Sequence, residues 1–367
     1  MKEIRSIIKA YSSIDLAVTK AALATVVRVE GSSYRRTGAR MLVLDDGTYL
    51  GGISGGCLEG DALRKALRAI SQNKPSIVTY DTTQEDDHQV GVGLGCNGII
   101  DVLFTPLQPH DPFNPVEILE TVSGTRKPVW LITITGSEAA PEALAKILVY
   151  ENEEQFLQNF SLPSLASDVL EDIKECQQSE RSAATTYGEE NKTRVFIERL
   201  APATRLLIFG SHYDTHPLAR MANELGWEVT LITNLIKAGK DIFQYAQVID
   251  RTQEDHITTD AYTAAVLMNH DLATDTRQLE KLLETGVAYI GLLGPRKRSL
   301  RMLETLPSKT SANGDGRIFA PAGLDIGALS PEEIALSIAA EIQGHFAGRL
   351  GQSLRLRPGS IHDHEHK

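Results

Sequence analysis

Two cysteines stand inside glycine-rich loops, and they are the residues whose type and spacing point most directly to chemistry. The first loop reads Gly51-Gly52-Ile53-Ser54-Gly55-Gly56-Cys57-Leu58-Glu59-Gly60-Asp61, directly before a segment of helical periodicity. Glycines allow positive φ and leave backbone amides uncovered, so Ser54, Gly55 and Gly56 can form a nest for an anion. A thiol at a helix N-terminus has its thiolate favoured by the same amides, which suits Cys57 to act as nucleophile, metal ligand or sulfur acceptor. The second loop, Gly91-Val92-Gly93-Leu94-Gly95-Cys96-Asn97-Gly98, repeats the arrangement around Cys96. The competing reading of either cysteine is a small apolar residue in a tight turn. Neither has a CxxC partner or a histidine at ligand spacing, which argues against zinc.

A run of hydroxyl and basic residues, Ser32-Ser33-Tyr34-Arg35-Arg36-Thr37-Gly38-Ala39-Arg40, precedes the first of these loops. Arg35 and Arg36 suit bidentate binding of phosphate or carboxylate, and equally a solvated surface loop.

In the last third, the strand RLLIFG runs into Gly210-Ser211-His212-Tyr213-Asp214-Thr215-His216-Pro217. A strand, a glycine turn and a helix are what a dinucleotide-binding domain uses to hold a pyrophosphate. Here His212 stands at the second glycine position and Thr215 at the third, and the next strand ends at Thr233-Asn234 without a carboxylate. The pattern therefore predicts the fold but weakens the expectation of bound NAD(P). Further candidates lie at predicted strand ends, where ligands of open α/β sheets sit. His270-Asp271 could orient a ligand or move a proton, or Asp271 could cap a helix. Arg296-Lys297-Arg298 could clamp a phosphate or form a charged first turn. Asp325, between glycines in GLDIG, could face the same cleft. The terminal His362-Asp363-His364-Glu365-His366 could hold a metal weakly but reads as a frayed end. Cys176 lies on a polar helical stretch and reads as incidental.

These residues need elements to position them. The periodicity predicts a short helix to about Ser12, a strand ATVVRVE, and a hairpin of RMLVL and TYLGGIS around Asp45-Asp46-Gly47. Leu58, Ala62, Ala66 and Ile70 then fall at helical spacing, followed by strands at SIVTYD and IIDVLFTPL. The proline-rich QPHDPFNP marks a break. The middle region shows two strand-like runs, VWLITIT and AKILVYE, and a helix-leaning stretch over 167–177. After it, strand and helix alternate as a parallel sheet requires, with Gly226 as a left-handed helix stop. Ser330 and Glu333 form a capping box for the last helix.

The predicted architecture is α/β: an N-terminal mixed α/β domain over 1–110, a middle α/β and helical region over 111–202, a Rossmann-like parallel-sheet domain over 203–350, and a tail over 351–367. Three cysteines in 367 residues are too few for a disulfide framework, and no apolar run is long enough to span a bilayer. The N-terminus does not read as a signal peptide, so the expected location is cytoplasmic. A net charge of −11 argues against general nucleic-acid binding.

VEGSSYRRTGARMLVLDDGTYLGGISGGCLEGD resembles the signature of the XdhC/CoxI family, and GLGCNG is similar to its second cysteine loop. LLIFGSHYDTHPLARMANELGW, MNHDLATD, GLLGPRKR, APAGLDIGALSPEEIALSIAAEI and the near-terminal IHD are similar to later family blocks. The resemblance implies a cytoplasmic, dimeric accessory protein that binds molybdenum cofactor, supports its sulfuration with a cysteine desulfurase, and delivers it to a xanthine-dehydrogenase-type molybdoenzyme. It implies a chaperone rather than an enzyme, with Cys57 as the leading functional residue and metal ligand and Cys96 as the second. Cofactor contacts are then expected from Ser54, Gly55, Gly56, Arg35, Arg36, Gly210, Asp214, His270, Asp271, Arg296 and Asp325, with the cofactor between the two main domains. His212 departs from the family's turn, which usually has glycine there. The alternative is an NAD(P)-linked or thiol-dependent oxidoreductase using the Rossmann cleft.

Overall fold

The computed structural model describes residues 1–31, 33–82, 98–189, 192–306 and 316–357. The chain divides into two compact units, one over Glu3–Pro202 and the other from Ala203 onward. The loop carrying Cys96 and the histidine-rich terminus lie outside the described residues.

The first unit opens with α1 (Lys2–Ser12), β1 (Ala21–Gly31), β2 (Arg40–Leu44), β3 (Tyr49–Gly51), α2 (Glu59–Gln72), β4 (Ser76–Asp81) and β5 (Gly98–Leu107). The five strands form an antiparallel sheet in the order β3-β2-β1-β5-β4. Side chains alternate across the pleat of β1, so Ala22, Ala24 and Val26 turn to one face and Ala21 and Leu23 to the other. On the first face the small residues Ala62, Ala66 and Ala69 let α2 lie close against the sheet. That packing fixes the start of α2, where the glycine-cysteine loop is attached.

The same unit continues with α3 (Pro115–Val122), β6 (Val129–Ser137), β7 (Ile147–Tyr150), α4 (Glu153–Asn159), α5 (Ala166–Ser179), β8 (Ala183–Tyr187) and β9 (Thr193–Leu200). These strands form a second antiparallel sheet, β7-β6-β9-β8. Four strands stand where the sequence indicates two, because β8 and β9 alternate apolar with polar and charged residues rather than forming apolar runs. Val27 and Leu103 of the first sheet share a core with Phe196 of the second. A buried ion pair between Arg40 of β2 and Glu198 of β9 joins them again. Cys176 is not on a polar face: it is buried in the core under α5, and burial, with Asp172 and Glu175 nearby, pushes its thiol up to about 11.

The second unit contains β10 (Arg205–Phe209), α6 (Thr215–Glu224), β11 (Glu228–Thr233), β12 (Gln247–Asp250), β13 (Thr263–Leu267), α7 (Leu272–Leu283), β14 (Tyr289–Leu292), α8 (Arg296–Thr305), β15 (Ile318–Phe319) and α9 (Pro331–Phe346). Its six strands are all parallel, in the order β12-β11-β10-β13-β14-β15. Leu206 and Ile208 face a core with α6 and α9, while Leu207 and Phe209 face one with α7 and α8. This is a doubly wound, Rossmann-like sheet whose order reverses between β10 and β13, where a crevice opens at the strand ends. The predicted capping box at Ser330 and Glu333 is present at the start of α9.

Candidate functional site

The glycine-cysteine loop leaves β3 and enters α2 through backbone that only glycine adopts readily: Gly55 has φ +94° and Gly56 φ +117°. A Cβ at Gly55 would also lie 2.5 Å from the Tyr34 ring, so the preceding arginine-bearing loop closes against it. The amides of this loop do converge, as the glycines predict, but on a residue of the chain itself. Ile53, Ser54 and Gly55 donate their N–H groups to Glu59 Oε1 at 3.0, 2.8 and 3.1 Å. Gly56 and Leu58 donate theirs to Oε2 at 2.8 and 3.2 Å. Ser54 Oγ donates to Oε2 at 2.6 Å and accepts from the Leu58 N–H at 2.8 Å.

This corrects the expected anion cradle. The amides of Ser54, Gly55 and Gly56 cannot hold an external phosphate while the buried Glu59 carboxylate occupies them. Burial alone would raise the Glu59 carboxyl, but the Ser54 hydroxyl and the loop amides outweigh it and hold the group at about 2. Cys57 sits within this clamped segment, half-buried, with part of its surface against the core under α2. The arrangement presents a thiol on a rigid loop.

The neighbouring basic residues separate. Arg35 forms an ion pair with Glu3, whose other oxygen accepts the Arg40 N–H at 3.0 Å. Arg36 remains exposed. Of the two arginines expected to bind phosphate, Arg36 is the one without an acidic partner among the described residues.

In the second unit the predicted turn leaves β10 at Gly210, where a Cβ would lie 2.9 Å from the Met268 carbonyl. No second glycine opens the turn. Thr215 N and Oγ1 both donate to the His212 carbonyl, at 3.2 and 2.8 Å, and wind the chain directly into α6. Residues from β10 and β13 then meet at the switch point. His270 Nε2 lies 2.7 Å from Asp214 Oδ2, and the His212 ring stands edge-on to His270 at 4.9 Å. His270 has φ +60°, uncommon for a residue with a side chain, and Asp214 Oδ1 is buried without a hydrogen-bond partner. Strain and an unsatisfied carboxylate oxygen together mark this crevice as more than packing.

Asp271 does not join His270. It caps α7, accepting the Thr274 N–H at 2.8 Å, and that side-chain and backbone hydrogen bonding lowers its carboxyl below the ordinary range. Arg298 is held at 2.7 Å by the buried Asp275, which leaves Arg296 and Lys297 exposed at the start of α8. Asp325 is exposed in the loop after β15. A cavity of about 320 Å³ beside α7, rimmed by the Glu254–Lys281 ion pair, contains none of the residues singled out by sequence. No group of three or more metal-binding side chains occurs among the described residues. None of their helices is long and apolar enough to cross a membrane.

Glu59 is the functional residue that sequence reasoning passed over. Its signal was an acidic side chain in a first helical turn, directly behind a glycine run whose amides lacked an acceptor.

Fold and loop define a two-part α/β protein: a thiol-bearing glycine-loop unit followed by a Rossmann-like unit. Residues 17–81 match the XdhC and CoxI family, and residues 206–342 match the XdhC Rossmann domain. The chain is 30% identical over 331 residues to a probable xanthine dehydrogenase subunit from Bacillus subtilis (strain 168), covering 88% of this chain and 92% of that protein. It is 26% identical over 323 residues to the molybdenum cofactor insertion chaperone PaoD of Escherichia coli (strain K12), covering 88% and 82%. It is also similar to the crystal structure of a xanthine dehydrogenase from Bacillus halodurans, with TM-score 0.74, 26% identity and 98% of each chain covered. The chain belongs to the XdhC and CoxI family.

Proposed function

We propose that this protein binds molybdenum cofactor and delivers it to a xanthine-dehydrogenase-type molybdoenzyme, acting as a chaperone rather than an enzyme. Family membership and the similarity to an insertion chaperone support the reading. The observation that carries it is Cys57, half-buried on a loop clamped by Glu59.

The cofactor brings a molybdenum centre on dithiolene sulfurs and a terminal phosphate. The donor set fits the first end: Cys57 offers a soft sulfur ligand on backbone that needs little reorganisation to present it. It does not fit the second end, because Glu59 occupies the loop amides. Phosphate contact then falls to cations such as Arg36, and to the second unit's Arg296. Gly210, Asp214, His270 and Asp325 are the further contacts the reading assigns. Asp271 contributes by fixing α7, and Cys96 acts alongside Cys57. Sulfuration by a cysteine desulfurase, a homodimer and a cytoplasmic setting complete the proposal.

The test is anaerobic equilibrium binding of molybdenum cofactor to wild type and Cys57→Ala, with NAD(H) titrated in parallel. Tight retention that weakens in the variant, without NAD(H) binding, is the expected result. NAD(H) binding without cofactor retention overturns it.

The His270–Asp214 pair beside His212 favours a second reading, an oxidoreductase working in the switch-point crevice. That reading requires a redox ligand bound independently of Cys57, so the same titration separates the two.

A further inference from the structure

We propose that Glu59 is the positioning residue for Cys57: its carboxylate is a built-in anion that takes the place of a bound one and sets the loop in the conformation that presents the thiol. The inference rests on the reading of Cys57 as the cofactor-facing group, but it is decided by an independent measurement.

The geometry carries it. Five backbone N–H groups, from Ile53, Ser54, Gly55, Gly56 and Leu58, and one hydroxyl, from Ser54, point at two oxygens of one side chain. Successive amides facing inward are the arrangement with which loops hold phosphates and other anions. Here the anion is covalently attached just beyond Cys57, so the loop is filled whether or not any ligand is present. Its position in the first turn of α2 also places the charge at the favourable end of the helix dipole.

The consequence is chemical. Were Glu59 neutral or absent, five amides would lose their acceptor in a buried setting, and the segment would rearrange to find water or another partner. Cys57 lies between Gly56 and Leu58, both bonded to Oε2, so it cannot keep its orientation through such a change. The loop is thus a thiol platform with no vacancy for phosphate, and Glu59 decides which end of a two-ended ligand it meets.

The experiment measures alkylation of Cys57 by iodoacetamide across pH, localised by peptide mass spectrometry, in wild type, Glu59→Gln, Glu59→Ala and Ser54→Ala. Glu59→Gln keeps the size but removes charge and an acceptor, and is expected to change the Cys57 rate by about tenfold. Ser54→Ala, which removes one of the six donors, shifts it in the same direction by less. Formate added to Glu59→Ala refills the vacated amides and returns the rate toward wild type, which lost packing alone would not allow. A Glu59→Gln rate equal to wild type, or no response to formate, overturns the proposal. If Glu59→Ala does not fold, Ser54→Ala and Glu59→Gln decide it, and unchanged rates in both overturn it. Failure of the wild type to retain molybdenum cofactor sinks the proposed function while leaving this readout intact.

Discussion

His270 and Asp214 are 56 residues apart in sequence, yet His270 Nε2 lies 2.7 Å from Asp214 Oδ2, while the adjacent Asp271 turns away to cap α7. The left-handed backbone of His270 makes this partnership possible by swinging the ring from the end of β13 toward the turn after β10. Left-handed backbone costs a residue with a Cβ roughly 1–2 kcal/mol, and glycine almost nothing. His270→Gly is therefore expected to be more stable than His270→Ala by about 1 kcal/mol, since both lose the imidazole and only one keeps the strain. Urea unfolding of the two variants measures this, and equal midpoints would show that the backbone relaxes.

Arg40 and Glu198 join the two sheets of the first unit, and both side chains are buried. Removing one partner strands the other charge away from water, at a cost of about 3–5 kcal/mol. Arg40→Met and Glu198→Leu should each unfold at distinctly lower denaturant than wild type. The double variant should recover much of the loss, because no charge is then left unpaired. A double-mutant cycle with additive effects would count against the pair.

The two described cysteines should behave oppositely. Cys57→Ser, at a half-buried loop position, is expected to change stability by less than about 1 kcal/mol and to abolish cofactor retention. Cys176→Ser puts a hydroxyl into the core under α5 and should cost about 1–3 kcal/mol with retention unchanged. At pH 8, iodoacetamide should label Cys57 and spare Cys176, whose buried thiol is pushed up to about 11. Rapid labelling of Cys176 in the native protein would contradict its place in the core.

Acid should act on the first unit through Glu59. Its carboxyl is held at about 2 in the folded protein, below its ordinary value of 4.5, so it contributes stability at pH above 4.5 that fades as pH falls toward 2. At about 1.4 kcal/mol per pH unit, the full contribution is on the order of 3 kcal/mol. Wild type should exceed Glu59→Gln in Tm by a constant margin from pH 8 to pH 5, and the margin should narrow below pH 4.5. A margin independent of pH down to 3 would mean that the carboxylate charge is not what holds the loop.

Much of the fold was legible because its signals are local. The Asp45-Asp46-Gly47 hairpin, the alanine stripe of α2, the alternation of strand and helix after residue 203 and the Ser330 cap each follow from a few adjacent residues. The second sheet of the first unit was only half legible. β8 and β9 carry Thr, Arg and Glu on one face, and their partners come from β6. The α/β class and the glycine-cysteine loop could be read, but the loop's contents could not.

By itself, then, the sequence determined which segments form strands and helices, where the glycines permit tight turns, and that Cys57 stands at a helix start. Periodicity, propensity and φ freedom are properties of neighbouring residues, and a chain carries them without folding. Only the tertiary structure decided that Glu59 rather than an external anion fills the loop, that Arg35 is neutralised by Glu3, and that His270 pairs with Asp214 instead of Asp271. Each of these is a choice among several partners of the same charge or hydrogen-bonding type. Packing makes that choice by bringing one partner within 3 Å and leaving the others in water.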